Sequence, residues 1–105
     1  MKDKINEIAC ELNTALKNSF EDFEGLYVFG SQVNGKPNED SDVDIVAIVD
    51  AEDKEKLGKI WDIASLLDYK YDLFLDLHPM TRKELERNYV FHDEVVNKGV
   101  FYAAA

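Results

Sequence analysis

The sequence predicts an α+β (α/β) fold, a small three-stranded mixed sheet flanked by helices in the order α-β-turn-β-α-β-α-α. Three observations carry that prediction. Helical and strand periodicities alternate along one short chain. At 105 residues, 46 % of them apolar, the chain can bury a single modest core. The connection between the first two strands holds only one helical turn, too little for a parallel crossover, so that pair is antiparallel.

From Lys4 to Phe20 the apolar residues Ile5, Ile8, Ala9, Leu12, Ala15, Leu16 and Phe20 recur at three- and four-residue steps, which predicts an amphipathic helix. Leu26 to Phe29 follows as a buried strand ended by Gly30. Ser31 is a good N-cap, Gly35 a good stop and Pro37 a breaker, so Ser31 to Asn34 reads as one turn of helix, and Lys36 to Ser41 as a polar loop. Val43 to Val49 is the second strand, with Val43, Ile45, Ala47 and Val49 on one face and Asp44, Val46 and Ile48 on the other.

Asp50 is the expected cap of the next helix, with Glu52 four residues before Lys56 on its solvent side. Leu57, Ile60, Trp61, Ala64 and Leu67 form its stripe, and Asp68 marks its expected end. Tyr71 to Leu77 reads as the third strand, closed by Pro79, with Asp72, Phe74 and Asp76 sharing one face. Thr81-Arg82-Lys83-Glu84 matches a capping box that starts a helix reaching towards Tyr89. Phe91, Val95 and Val96 suggest a further short helix ending at Gly99, and Val100-Phe101-Tyr102 folds back onto the body. Residues 1–102 are expected to form one domain, with Ala103-Ala104-Ala105 outside it as a scar.

Composition removes several classes of function. A net charge of −10 repels a polyanion, so free nucleic acid is a poor substrate. One cysteine, Cys10, excludes an internal disulfide and a cysteine-rich zinc site, and with no basic cluster beside it in sequence it reads as an unreactive small residue. No apolar run reaches the length of a membrane span and the N-terminus lacks the apolar core of a signal peptide, so the cytoplasm is the expected address. His78 and His92 are single histidines in different elements and read as surface or packing residues.

The chemistry concentrates between Phe29 and Asp44. A glycine and serine at a helix start let backbone N–H groups and a hydroxyl approach phosphate oxygens. Asp42 and Asp44, one residue apart on a strand, project to the same side and can share a hard cation such as Mg²⁺. Two unit charges about 4 Å apart repel by on the order of 4 kcal/mol at an effective dielectric near 20, a penalty that a cation removes.

Gly30-Ser31, then ten residues, then Asp42-Val43-Asp44, resembles the signature of the nucleotidyltransferase superfamily that includes DNA polymerase beta, and in size the chain resembles its minimal nucleotidyltransferases. The resemblance implies a polymerase beta-like nucleotidyltransferase fold, with Gly30 and Ser31 on the triphosphate of ATP and two Mg²⁺ ions on Asp42 and Asp44. It also implies a third carboxylate from a later strand. Asp72 in Tyr71-Asp72-Leu73 is the best match, as ligand and candidate base, and Asp76 is its rival on the same face. Gln32 stands where many relatives carry arginine, with Lys36 as a compensating cation.

Minimal nucleotidyltransferases are often paired with a helical HEPN protein as antitoxin and toxin, and similar antitoxins move AMP from ATP to a tyrosine of the toxin. The function expected from the resemblance is therefore Mg²⁺-dependent adenylyl transfer to a partner hydroxyl. An inert module that neutralises a partner by occlusion, and a transferase acting on a small molecule such as an aminoglycoside, with a homodimer shaping the pocket, are the alternatives.

Overall fold

The computed structural model describes residues 3–34, 42–50 and 53–104. Helix α1 (Asp3–Ser19) buries Ile5, Ile8, Ala9, Leu12 and Leu16, the stripe its spacing dictates. Strand β1 (Gly25–Phe29) leads through Gly30 into the single turn α2 (Ser31–Asn34), and β2 spans Val43–Ile48. The expected Gly35 stop and the loop from Lys36 to Ser41 lie outside the described residues.

Helix α3 (Lys54–Tyr71) begins and ends later than its sequence suggests. Its cap is Asp53, whose side chain accepts from Lys56 N at 2.8 Å, and not Asp50, whose own N–H donates to Asp22 Oδ2 at 3.1 Å. Glu52, the expected partner of Lys56, lies outside the described residues, and Lys56 instead pairs with Asp22 at 2.5 Å. Asp68 does not stop the helix. Its carboxylate reaches past the C-terminus to accept from Leu75 N at 2.8 Å, tying α3 to the start of the next strand.

Three more helical residues follow Asp68 before Asp72 closes α3 in the left-handed conformation, φ 52° and ψ 52°, with its N–H donating to Asp68 O. The third strand is therefore Leu75–Met80 (β3), not Tyr71–Leu77. Pro79 lies inside it and not beyond it, which an edge strand tolerates because the missing N–H would have faced outward. Thr81 caps α4 (Arg82–Arg87) with the full capping box, accepting from Glu84 N at 3.1 Å while Glu84 reaches back to Thr81 N. Helix α5 (Tyr89–His92), capped by Asn88, continues as a π-helical turn over Asp93–Asn97.

The sheet has four strands and not three, in the order β3-β2-β1-β4. The fourth, β4 (Val100–Ala103), is the segment expected only to fold back, and it includes Ala103, expected outside the domain. It pairs antiparallel with β1, Gly25 opposite Ala103. Gly25 allows this: its φ is +147°, and a Cβ there would lie 2.5 Å from Tyr102 O. Strands β1 and β2 are antiparallel, as the short connection requires, while β2 and β3, joined through the 18-residue α3, are parallel, so the sheet is mixed.

The two faces of the sheet bury separate clusters. Val43, Ile45, Ala47, Leu75 and Leu77 pack with Leu26 and Val28 against α1 and α3. Tyr27, Phe29, Val46 and Ile48 pack on the other face with Leu85, Val95 and Phe91 from the C-terminal helices. That second face is incompletely covered at the end where β1 stops and β2 begins, and the carboxylates emerge there.

Candidate functional site

Sheet register builds the site. Phe29 is opposite Asp44 across the β1–β2 pair, and Asp44 is beside Asp76 across the β2–β3 pair, so both carboxylates stand on the same face of neighbouring strands. Burial, the neighbouring Asp76 carboxyl and the negative charge of Asp42 push the Asp44 carboxyl above its ordinary pKa, with His78 pulling weakly the other way.

Gly30 fits the same corner. Its φ is +81°, and a Cβ on it would collide with Asp44 Oδ2, so the end of β1 must be glycine for the carboxylate to stand where it does. The chain then turns at once into α2, with Ser31 exposed at its first position and Val33 N donating to Gly30 O at 3.1 Å. Gln32 is buried, at 7 % exposure, where a neutral amide needs no counter-ion. Lys36 lies outside the described residues.

Asp42 is exposed just ahead of β2, whose entry is fixed by Val43 N donating to Phe74 O at 3.0 Å. Asp72 does not join this group. The extra turn of α3 leaves it on the helix C-cap, three residues before β3, so the strand alternation that would have aimed it at Asp44 never applies to it. Asp76 takes the position expected of Asp72. Among the described residues no three His, Cys, Asp or Glu side chains form a ready-made cation cage. The donor set nonetheless fits a hard cation: oxygen ligands only, two of them side by side on adjacent strands, with the charged form of Asp44 disfavoured by burial and by its acidic neighbours.

His78 also stands beside this group, although as a single histidine it reads from the sequence as a surface or packing residue. On β3 it lies two residues after Asp76 on the same face, its Nε2 3.4 Å from Asp76 Oδ2. Its ring centroid is 6.3 Å from Phe29 and 6.1 Å from Phe91, and those two rings meet edge to face at 5.5 Å. Register was the missing signal, since a strand starting at Tyr71 and closed by Pro79 makes His78 look terminal.

The family model of the nucleotidyltransferase domain matches residues 4–102 of this chain. The chain belongs to the nucleotidyltransferase domain family. A Methanocaldococcus jannaschii protein provisionally named a protein adenylyltransferase is 36 % identical over 100 residues, covering 91 % of this chain and 92 % of that protein. Among solved structures, a toxin–antitoxin with AMP-PNP superposes with a TM-score of 0.62 at 24 % identity, over 94 % of this chain and 71 % of the matched one. A complex of tri-AMPylated Shewanella oneidensis HEPN toxin with MNT antitoxin superposes with a TM-score of 0.60 at 20 % identity, over 96 % and 71 %. These two likenesses establish the fold, the polymerase beta-like α+β architecture expected for this nucleotidyltransferase.

Proposed function

We propose that this nucleotidyltransferase moves AMP from ATP to a side-chain hydroxyl of a HEPN-type helical partner protein and thereby acts as its antitoxin. The observation that carries the reading is the placement of Asp44 beside Asp76 on adjacent strands and directly against Gly30, which puts a carboxylate pair next to a backbone turn able to receive phosphate. The adenylyltransferase name of the Methanocaldococcus relative and the AMPylated toxin in the Shewanella complex support the same acceptor class.

Asp42, Asp44 and Asp76 would hold Mg²⁺, two ions in this reading, which neutralises charge on the phosphates and on the leaving pyrophosphate. The backbone N–H groups after Gly30 and the Ser31 hydroxyl donate to the β- and γ-phosphates. Asp76 accepts the proton of the acceptor hydroxyl. The new bond joins the acceptor oxygen to the α-phosphorus, and the bond to the bridging oxygen breaks as pyrophosphate leaves. The donor nucleotide fits a cytoplasmic setting.

The test is to incubate the protein with the HEPN-type partner, Mg²⁺ and ATP labelled on the α-phosphate. The label is expected on a partner hydroxyl, and it disappears with Asp44→Asn. A partner that stays unlabelled yet is neutralised by both wild type and an Asp42→Asn/Asp44→Asn double variant would establish occlusion instead.

A further inference from the structure

We infer that His78 is a positioning residue for Asp76, set by an aromatic clamp that links the C-terminal helices to the carboxylate site. The inference rests on the proposed role of the carboxylates in holding a divalent cation.

The geometry has three parts. First, the imidazole Nε2 faces Asp76 Oδ2 at 3.4 Å from two residues further along the same strand face. Second, the ring is fixed from two sides, by Phe29 at the end of β1 and by Phe91 on α5, the latter meeting it edge-on at 75°. Third, the Asp76 side chain is 42 % exposed and stands beside Asp44 on the neighbouring strand, so its oxygens have open water as an alternative. A carboxylate in that situation keeps a productive rotamer only if a neighbour holds it. Residues that orient metal-binding groups in this way are worth about 10- to 100-fold in metal affinity.

Packing separates this role from a plain surface contact. A histidine held only by water could follow Asp76 wherever it turned. Here the ring plane is set by two phenylalanines, one of which, Phe29, is buried at the strand position facing Asp44. The nitrogen is therefore a fixed reference point, and its position depends on α5 staying docked through Phe91.

The experiment measures Mn²⁺ binding to the full chain by electron paramagnetic resonance, without nucleotide, alongside thermal unfolding. His78→Phe keeps the aromatic packing and removes the nitrogens; it is expected to weaken Mn²⁺ about tenfold while the melting temperature changes little. His78→Gln, which can still donate to Asp76, is expected to bind within about threefold of wild type. Phe91→Leu, which keeps the imidazole and loosens its clamp, is expected to fall between the two, and provides the test should His78→Phe fold poorly. Wild-type affinity in both His78→Phe and Phe91→Leu overturns the inference, as does an equal loss in His78→Gln and His78→Phe. Asp44→Asn is the control: if it loses Mn²⁺ while His78→Phe keeps it, the cation site stands and only the His78 role fails. A wild-type protein that binds no Mn²⁺ removes the site and the inference together.

Discussion

Asp44 stands where burial and its acidic neighbours disfavour its charged form. Its pKa is raised in the folded state, chiefly by burial and then by Asp76, so the sign follows directly. The stability associated with this group is fully present below its ordinary value of 3.8 and is lost as pH rises through the raised one, leaving a penalty at neutral pH. Asp44→Asn should therefore raise the melting temperature in chelator at pH 7. Solvent screening at this half-open site limits the gain to on the order of 1 kcal/mol. The same variant should lose adenylyl transfer. A second residue-scale prediction separates the two rival carboxylates. Asp76→Asn should cost at least about a hundredfold in transfer, whereas Asp72→Asn should leave activity and stability nearly unchanged, because asparagine accepts the left-handed C-cap conformation as readily as aspartate. Gly30→Ala should destabilise by about 1–3 kcal/mol and abolish transfer, since it needs a positive φ and places a methyl against Asp44.

Between elements, α1 is fastened to the end of α3 by one polar cluster. Glu11 accepts from Lys70 Nζ at 2.6 Å and from the Tyr71 hydroxyl at 2.7 Å. Lys70 first and Tyr71 second hold the Glu11 carboxyl below its ordinary 4.5, and Glu11 in turn pushes the Tyr71 hydroxyl up to about 12. The Glu11 contribution to stability is present above 4.5 and is lost as pH falls through the depressed value. The Tyr71 contribution is present below 10 and is lost as pH rises towards 12. Tyr71→Phe should remove the tyrosinate absorbance phase near pH 12 and flatten the decline in melting temperature between pH 10 and 12; a phase that persists in the variant belongs to another tyrosine. This fastening also bears on the site, because the helix end it secures is where Asp68 anchors Leu75 and sets the register of β3. Had α3 stopped at Asp68, the alternation of β3 would have brought a different carboxylate beside Asp44.

For the whole molecule, the net charge of −10 and the adjacent Asp44 and Asp76 predict the same response to salt and to divalent cations. Millimolar Mg²⁺ should raise the melting temperature of wild type by a few degrees more than NaCl of equal ionic strength, and Asp44→Asn should remove that excess. An equal response to both salts would mean general screening and no bound cation. The acidic surface also favours a partner that is basic where it docks, since long-range attraction speeds encounter and like charge slows it.

By itself the sequence determined which residues can do chemistry and which elements exist. Gly30-Ser31 and Asp42-Val43-Asp44 are local patterns, and the helical stripe of α1, the alternation of β2 and the capping box of Thr81 and Glu84 depend on neighbours a few residues apart. Those signals survive without knowledge of the rest of the chain, and the α+β class and the antiparallel β1–β2 pair follow from them. Tertiary structure alone decided what depends on distant partners. The fourth strand exists because β1 has a free edge and Gly25 leaves room for Tyr102, 77 residues later in sequence number (102 − 25). That Asp76 and not Asp72 stands beside Asp44 follows from where α3 ends, which the Asp68–Leu75 hydrogen bond and the Glu11 cluster fix across the fold. His78 became visible only when register set it beside Asp76 and packing set it between Phe29 and Phe91. Strand register is a pairwise property of distant segments, so the local sequence could offer Asp72 and Asp76 on one face but not decide which of them stands beside Asp44.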